Sequence, residues 1–202
     1  MSMENIQMII NKKYMMSWKA DGTRYLMLIA GKDQVYMFDR NNFVYKVNNI
    51  NFPKDKVEHH TKTLVDGEMV IDVFEGQKFP RFLIYDIMAI GDEYVGNLQF
   101  QKRLAMIKRN IIDTRNQLIC PDLKKQESFG VRIKDFWPIS TTKEIWDGKF
   151  RQQLTHKMDG LIFQPVDEPY VSGTCISILK WKPPQQNSID FRLTCKYETE
   201  KE

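Results

Sequence analysis

Five short stretches of the sequence combine charged residues with apolar flanks. They are WKADGTR (18–24), FDRNN (38–42), VDGEM (65–69), KMDGLIF (157–163) and ILKWKP (178–183). Lysine and arginine bind phosphate oxygens, and carboxylates bind ribose hydroxyls or Mg²⁺. The stretches together therefore predict a nucleotide site, in which Lys19 is a candidate nucleophile provided that the surrounding strands hold it in place.

The candidate cations are Lys19, Arg24, Arg40, Lys180 and Lys182, and the candidate carboxylates are Asp66, Glu68 and Asp159. Each stretch alone has a simpler reading, because Asp-Gly is usually a turn and KWK is usually a solvated strand edge. If LKWK is a strand, Lys180 and Lys182 share one face and Trp181 lies on the other. Since each stretch is expected at a strand end, sheet edges would bring the charges around one cleft.

Other nucleotide and metal motifs are missing from the sequence. It has no GxxxxGK[ST] loop and no GxGxxG fingerprint, which excludes the common phosphate-binding loops. The adjacent His59 and His60 and the isolated His156 do not have zinc-ligand spacing, and we expect them at surface or core positions. The three cysteines form no CxxC pair, which argues against a disulfide framework and favours a reducing compartment.

The sequence pattern predicts strands in the first half of the chain, and these strands would position the candidate residues. YMMSW, RYLMLI, QVYMF and FVYKV are β-branched and aromatic runs separated by turn residues, which predicts an antiparallel meander. TLV, EMVID and RFLIYDIM form a second set, with DG and FEGQK as the expected turns. Later strands are expected in GLIFQP, ISILKW and DFRLTCKY.

Two helices are expected among the strands. Residues 100–113 place Leu104, Ile107, Ile111 and Ile112 on one face, and their charged residues elsewhere, as in an amphipathic helix. Thr141 and Glu144 have capping-box spacing, which predicts a short helix towards Trp146. Without regular alternation of strand and helix, the fold class is predicted as α+β with mainly antiparallel sheets and flanking helices.

Composition places the chain among ordinary globular proteins. It has 42% hydrophobic residues and a formal net charge of +4, which indicates only mild affinity for polyanions. No run approaches a membrane span and no signal-peptide core is present, so we expect a soluble intracellular protein.

The motifs SWKADGTRYLMLI, LVDGEMVID, RFLIYDI, HKMDGLIFQP and ILKWKPPQQNSIDFRL resemble those of a known family. The chain is similar to the nucleotidyltransferase domain of animal-type mRNA capping enzymes, the GTP:RNA guanylyltransferases. These belong to the covalent lysine nucleotidyltransferases, which also include the ATP-dependent DNA and RNA ligases. The resemblance covers nearly the whole chain in the family's order, and it implies the nucleotidyltransferase fold of these enzymes.

The resemblance implies that Lys19 becomes covalently bound to GMP and that Asp159 serves the metal and the α-phosphate. Within the matching motifs, the nucleotide-binding residues are Arg24, Arg40, Asp66, Gly67, Glu68, Tyr85, Lys134, Ile162, Lys180, Trp181 and Lys182.

More specific roles follow for several of them. Glu68 would bind the ribose hydroxyls, and Tyr85 and Ile162 would sandwich the purine. Lys134, in a segment that aligns less closely, would read guanine O6.

The implied reaction is phosphoryl transfer through a covalent intermediate, with Mg²⁺ or Mn²⁺ as cofactor and GTP as substrate. The lysine must lose its proton before it attacks, which neighbouring cations favour. The acceptor would be the 5′-diphosphate end of nascent RNA, which implies a nuclear protein.

Residues 1–195 are predicted as the nucleotidyltransferase domain and residues 196–202 as a polar tail. Because the sequence continues only some ten residues beyond DFRL, we expect it to lack the OB-fold domain of related enzymes, and it contains no HCxxGxxR phosphatase loop. Two alternatives stay open. One is an ATP-dependent polynucleotide ligase domain. The other is a module that binds the phosphorylated C-terminal tail of RNA polymerase II through basic residues such as Arg103, Arg109, Lys124 and Lys125.

Overall fold

The computed structural model describes residues 5–188 and 191–195. Its strands are β1 Tyr14–Ala20, β2 Thr23–Gly31, β3 Gln34–Phe38, β4 Val44–Val47, β5 Thr63–Phe74, β6 Gln77–Ile90, β7 Glu93–Tyr94, β8 Gly130–Ile133, β9 Trp137–Pro138, β10 Met158–Pro165 and β11 Leu179–Trp181. They form two sheets. The four-stranded sheet has the order β11-β10-β1-β9, and the seven-stranded sheet has the order β4-β3-β2-β5-β6-β7, with β8 parallel to β6.

The helices lie between and beside these strands. They are α1 Gln7–Asn11, α2 Phe100–Met106, α3 Thr114–Leu118, α4 Pro121–Lys125, α5 Thr142–Asp147 and α6 Lys149–Gln153. A π-helical segment, Ile107–Asp113, joins α2 to α3, and single 3₁₀ turns occupy Ile139–Thr141 and Pro184–Gln186. The α+β class with mainly antiparallel sheets is therefore confirmed.

Each sheet has one apolar face and one face that carries polar residues. In the seven-stranded sheet, Met27, Val65 and Phe82 are fully buried in a core that also contains Ile107 and Ile111 of the π-helical segment. Because side chains alternate along a strand, β2 and β5 turn their charged residues to the opposite face. That face looks towards the four-stranded sheet.

The four-stranded sheet buries a second apolar cluster. Tyr14, Met16, Leu161 and Phe163 pack there with Ile145 of α5. A third cluster, formed by Trp18, Ala20, Val70 and Leu83, joins residues of both sheets. Burial of these side chains is the main source of the free energy that holds the two sheets together.

The predicted four-strand meander is wrong at its first strand. β2, β3 and β4 do form a meander, but β1 pairs with β10 and β9 in the other sheet. The reason is the apolar face of β1, whose Tyr14 and Met16 pack with side chains of β10 and β11. The segment Asp21–Gly22 is thus a link between two sheets.

The predicted turn at Asp66-Gly67 is also wrong, because both residues lie inside the 12-residue strand β5. Gly67 packs directly against the Phe82 ring of β6, and a Cβ atom at this position would overlap that ring. The glycine therefore serves close packing of two strands. The turn predicted in FEGQK is confirmed, since Glu75 and Gly76 both have positive φ between β5 and β6.

The predicted amphipathic helix is confirmed and continues to Leu118, with one important difference. Arg103, which was expected on the exposed face, is completely buried and pairs with Asp86 at 2.6 and 3.0 Å. Of the four basic residues proposed to receive a phosphorylated tail, Arg103 is thus inaccessible. The amphipathic pattern does not predict the burial of Arg103, because a guanidinium group can be buried when it is hydrogen-bonded to an ionised partner.

The remaining predictions concern the second half of the chain. The helix after Thr141 is present as α5, but the Thr141 hydroxyl contacts the Pro138 carbonyl and makes no capping hydrogen bond. β11 begins only at Leu179, and residues 191–195 have no regular secondary structure. The predicted polar tail, 196–202, lies outside the described residues. Among the described helices, none is long and apolar enough to cross a membrane.

Candidate active site

Lys19 lies at an irregularity in the pairing of β1 with β10. Trp18 pairs with Leu161 and Ala20 pairs with Met158, so Asp159 and Gly160 together lie opposite Lys19. This is a β-bulge, which re-aims a side chain without ending the pairing. Gly160 has φ of +142°, and a Cβ atom there would overlap the Trp181 carbonyl oxygen. The Asp-Gly pair of KMDGLIF is therefore the bulge itself.

The bulge brings the Lys19 amine against the Asp159 carboxylate. Lys19 Nζ lies 2.7 Å from Asp159 Oδ1, and Lys182 Nζ lies 2.8 Å from Asp159 Oδ2. Burial raises the pKa of Asp159, but hydrogen bonds from Lys182 and Lys19 outweigh this and hold the pKa below its usual value. Asp159 is therefore an ionised carboxylate between two ammonium groups.

Strand register places further predicted residues on the Lys19 face of the four-stranded sheet. Ile162 pairs with Ser17 on β1 and with Lys180 on β11, so these side chains share one face. Trp181 takes the opposite face and packs edge-to-face on Trp146 at 4.7 Å between ring centroids. Trp181 is thus placed in the apolar cluster of this sheet.

The seven-stranded sheet contributes a second group around Asp66. Arg24 forms a bidentate pair with the Asp66 carboxylate at 2.9 and 2.6 Å, and this hydrogen-bonded pairing raises the pKa of Arg24. Two tyrosine hydroxyls also donate to Asp66, from Tyr85 at 2.7 Å and Tyr170 at 3.0 Å. Asp66 is buried and fully engaged, so its direct role is to orient Arg24.

Glu68 lies two residues beyond Asp66 on the same face of β5, opposite Arg24 in the register with β2. Lys134 faces it from the segment between β8 and β9, with 3.7 Å between Nζ and Oε2. The Lys134 ammonium lies 5.4 Å from the Trp18 ring centroid and 5.8 Å from that of Tyr85. It is therefore buried between the two sheets.

We call this set the intersheet site. It comprises Lys19, Asp159, Ile162, Lys180 and Lys182 from the four-stranded sheet, Arg24, Asp66, Glu68 and Tyr85 from the seven-stranded sheet, and Lys134 between them.

Cations dominate the intersheet site electrostatically. Partial desolvation and the nearby charges of Lys19, Arg40 and Arg24 lower the pKa of Lys180. Arg40 itself lies exposed beyond β3, within electrostatic range of the site. Cations outnumber carboxylates here, so the site is suited to an anionic ligand such as a polyphosphate.

Tyr170 was missed by the sequence reasoning. Its hydroxyl accepts a hydrogen bond from Arg24 at 3.1 Å while donating to Asp66, and it comes from the segment between β10 and β11. The surrounding residues EPYVSG have no periodic pattern, so no sequence signal pointed to this contact.

The described residues contain no group of three histidine, cysteine, aspartate or glutamate side chains arranged to hold a metal ion. Asp159 is the carboxylate nearest the Lys19 amine. Mg²⁺ is commonly held by one or two carboxylates together with substrate phosphates. Asp159 fits such a shared site, and the protein alone would not form a closed cage from these residues.

Solved structures of DNA ligases have a similar fold. A mycobacterial DNA ligase D complexed with ATP and MES matches with a TM-score of 0.55 and 17% identity, covering 85% of this chain and 56% of that chain. The ligase domain of M. tuberculosis LigD matches with a TM-score of 0.56 and 16% identity, covering 84% of this chain and 55% of that chain. At this identity the likeness concerns the fold alone.

Curated relatives are much more similar in sequence. The mRNA-capping enzyme of Danio rerio is 47% identical over 197 residues, and that of Mus musculus is 48% identical over 197 residues. Each alignment covers 96% of this chain and 33% of the relative, so the chain spans about a third of their length. A family model described as mRNA capping enzyme, catalytic domain, matches residues 1–184. The chain belongs to the family of mRNA capping enzyme catalytic domains.

Proposed function

We propose that this domain is an mRNA guanylyltransferase, which transfers GMP from GTP to the 5′-diphosphate end of RNA through a lysine–GMP intermediate. The observation that carries the proposal is the Lys19 amine at the β-bulge, 2.7 Å from Asp159 and within a cluster of cations. The bulge, which requires glycine at position 160, sets the Lys19 side chain against this carboxylate.

In the first step, the unprotonated Lys19 amine attacks the α-phosphorus of GTP. A P–N bond forms, the bond to the β-phosphate oxygen breaks, and pyrophosphate leaves with the electron pair of that bond. Asp159 holds the Lys19 side chain at 2.7 Å, and the proton that the lysine loses goes to solvent. Lys180 and Lys182 are placed to stabilise the negative charge that grows on the phosphate oxygens.

The proposal assigns the nucleoside to the same site. Arg24, held by Asp66, would bind the ribose and α-phosphate together with Arg40, and Glu68, opposite Arg24 in the register of β5 with β2, would accept hydrogen bonds from the ribose hydroxyls. Tyr85 and Ile162 come from different sheets, so a purine between them would touch both.

Choice of guanine falls to Lys134. Apolar and stacking contacts bind any purine, whereas a buried ammonium group donates to an oxygen at the purine 6-position but meets an amino group in adenine. Lys134 is buried next to Tyr85, which is where the edge of a stacked base would lie.

A divalent cation, Mg²⁺ or Mn²⁺, would be held by Asp159 together with the phosphates of GTP. When bound, it supplies positive charge at the phosphate that the amine attacks. Asp159 would then exchange part of its contact with Lys182 for the ion.

In the second step, the terminal phosphate oxygen of the RNA attacks the phosphorus of the lysine–GMP bond. The P–N bond breaks, a phosphoanhydride forms, and the lysine recovers its proton. Because the acceptor is a nascent transcript, this function implies the nucleus as the compartment.

The test is covalent labelling with α-³²P-GTP and Mg²⁺, followed by denaturing electrophoresis and acid treatment. The proposal expects acid-labile label from GTP that is absent in Lys19→Ala and in Lys19→Arg, since a guanidinium group stays protonated. Lys13→Ala, which changes an exposed lysine immediately before β1, is the matched control and should label like the wild type. Label from ATP alone would instead identify a ligase-type domain, and absence of label from either nucleotide would overturn the proposal.

A further inference from the structure

His156 forms a hydrogen-bonded connection between the two sheets. Its Nδ1 lies 2.8 Å from Asp72 Oδ1 on β5, and its Nε2 lies 2.9 Å from Trp18 Nε1 on β1. The side chains of His156 and Asp72 are 6% and 5% exposed, so both contacts are shielded from water. The mechanism above uses none of these three residues.

The partners define the protonation state of the imidazole ring. An indole N–H only donates, so Nε2 of His156 must accept the hydrogen bond from Trp18. The ring proton therefore resides on Nδ1 and is donated to Asp72. A second ring proton would face the indole N–H, so this contact requires the neutral imidazole.

Asp72 is itself well anchored. Burial raises the pKa of its carboxyl group, but hydrogen bonds from Arg81, His156 and Thr155 outweigh that effect and leave the pKa below its usual value. The Arg81 guanidinium also forms an ion pair with it. The carboxylate is thus a firm acceptor, and its position is set by the β5–β6 pair.

Each end of this connection is close in sequence to a functional residue. Trp18 immediately precedes Lys19, and His156 leads into the β-bulge residue Asp159. Asp72 lies four residues after Glu68 on the same strand, so both lie on one face of β5. The connection therefore joins the strand of the proposed nucleophile to the strand of the proposed ribose ligand.

The neighbouring contacts between these strands are less directional. Trp18 packs with Val70 and Leu83, and its ring lies 5.8 Å from Trp137 and 5.4 Å from Phe150 between centroids, contacts that confine the indole without a hydrogen bond. The Thr155 carbonyl accepts a hydrogen bond from the Val73 amide, which ties the adjacent backbone. The hydrogen bond to His156 adds a directional contact to this packing, and it ties the indole of β1 to Asp72 of β5.

We propose that His156 is a positioning residue that aligns the Lys19 amine with the nucleotide by holding Trp18 to Asp72. The effect on chemistry rests on the proposed guanylyltransferase function, whereas the hydrogen-bonded connection does not. His156 touches neither substrate nor reacting atoms, so its contribution is expected in the rate of the covalent step and not in GTP affinity.

The first measurement is nuclear magnetic resonance of the free protein. The Trp18 indole N–H, assigned with Trp18→Phe, should exchange slowly with solvent and show a downfield proton shift, and the histidine nitrogen shifts should report the Nδ1–H tautomer. In His156→Phe the indole signal should lose this protection. An unchanged indole signal in His156→Phe would overturn the connection itself.

The second measurement is the single-turnover rate of lysine–GMP formation. In His156→Phe the rate at saturating GTP should fall by about 10- to 100-fold, because displacement of about 1 Å has such an effect on an aligned reaction. The GTP concentration for half-maximal rate should change by less than about threefold. His156→Gln, which keeps one acceptor and one donor, should recover most of the rate.

Two controls separate positioning from general loss of stability. His60 is also buried, and its Nε2 contacts the Asn110 carbonyl away from the intersheet site. His60→Phe should lower the melting temperature and leave the rate unchanged. Adding His156→Phe to Trp18→Phe should lower the rate no further, since the two residues act through one contact.

The outcomes distinguish this proposal from the proposed function. If the wild-type protein forms no adduct, the guanylyltransferase function fails, and the indole signal still decides whether His156 positions Trp18. If the wild type is active and His156→Phe has the wild-type rate, or if its rate falls only as much as in His60→Phe, the positioning role is wrong.

Discussion

Lys134 is a buried ammonium group beside a half-buried carboxylate. Burial lowers its pKa to about 8, a value to which the nearby charge of Lys19 also contributes and which Glu68 partly opposes. The ion pair with Glu68 is long, at 3.7 Å, so the burial of this cation is only partly compensated, and such groups are frequent at functional sites. In the proposed function, a base oxygen at the purine 6-position would accept a hydrogen bond from this ammonium group.

The shift of Lys134 predicts a pH dependence of stability. The unfolded chain has the ordinary pKa of 10.5 and binds this proton more tightly than the folded protein, whose pKa is about 8. Because the unfolded state holds more protons in this window, the free energy of unfolding rises between about pH 8 and pH 10.5. Below about pH 7 both states are protonated, and this group adds no slope.

Urea unfolding of the wild type and of Lys134→Met measures this effect. Between about pH 7 and pH 10, the difference in free energy of unfolding should shift by about 2 kcal/mol in favour of the wild type. Lys13→Met, at an exposed position, should show no such shift. A constant difference between wild type and Lys134→Met would contradict the assigned pKa.

At the scale of elements, the β-bulge between β1 and β10 brings Lys19, the proposed nucleophile, against Asp159. In regular pairing a single residue of β10 would lie opposite Lys19. Without the extra residue, the Lys19 and Asp159 side chains would shift relative to each other. Gly160 permits the bulge because its φ is +142° and the Trp181 carbonyl lies against its α-carbon. Stability and the proposed chemistry are therefore both expected to depend on this glycine.

Gly160→Ala should destabilise the fold by about 2–5 kcal/mol, through backbone strain and overlap with the neighbouring strand. It should also abolish lysine–GMP labelling at temperatures where the variant is folded. Gly76→Ala is the matched control, because Gly76 has φ of +78° but open space around it, and its expected cost is about 1 kcal/mol. Thermal unfolding and labelling check both; normal labelling in folded Gly160→Ala would contradict the role of the bulge.

At the scale of the whole molecule, Arg103 ties three parts of the chain together. It is bidentate to Asp86 on β6, and it donates to the Leu98 carbonyl and to the Glu168 carbonyl at 3.0 Å. Glu168 is two residues before Tyr170, which contacts Arg24. The helix, the seven-stranded sheet and the segment that reaches the intersheet site thus share one buried guanidinium group.

Arg103→Ala should lower the free energy of unfolding by about 3–5 kcal/mol, because it leaves Asp86 buried without its cation. Arg109→Ala, which changes an exposed residue on the same helical stretch, should stay within about 0.5 kcal/mol of the wild type. Denaturant unfolding measures both. Equal stabilities for the two variants would contradict the structural role of Arg103.

Local pattern was sufficient for much of the fold and for the charged residues that gather between the sheets, whereas Tyr85, Ile162 and Lys134 were predicted only through the family resemblance. The apolar and turn residues predicted most strands, the 100–113 helix and the α+β class, since these depend on neighbours in the chain. Local pattern was wrong at Asp66-Gly67, where it predicts a turn although both residues lie within the long strand β5. The reason is a packing contact with the Phe82 ring, which no local pattern contains.

The sequence by itself determined which residue types are present and the order of their motifs, and these were enough to predict the family and to single out Lys19. Only the tertiary structure decided their contacts. Lys19 and Asp159 are 140 residues apart in sequence, and they are in contact because β1 pairs with β10 and is not part of the predicted meander. Three further features arise in the same way: the burial of Lys134, the hydrogen bond between Tyr170 and Arg24, and the hydrogen bonds of His156. Each depends on packing between distant segments, which sets distances and burial that residue type alone does not specify.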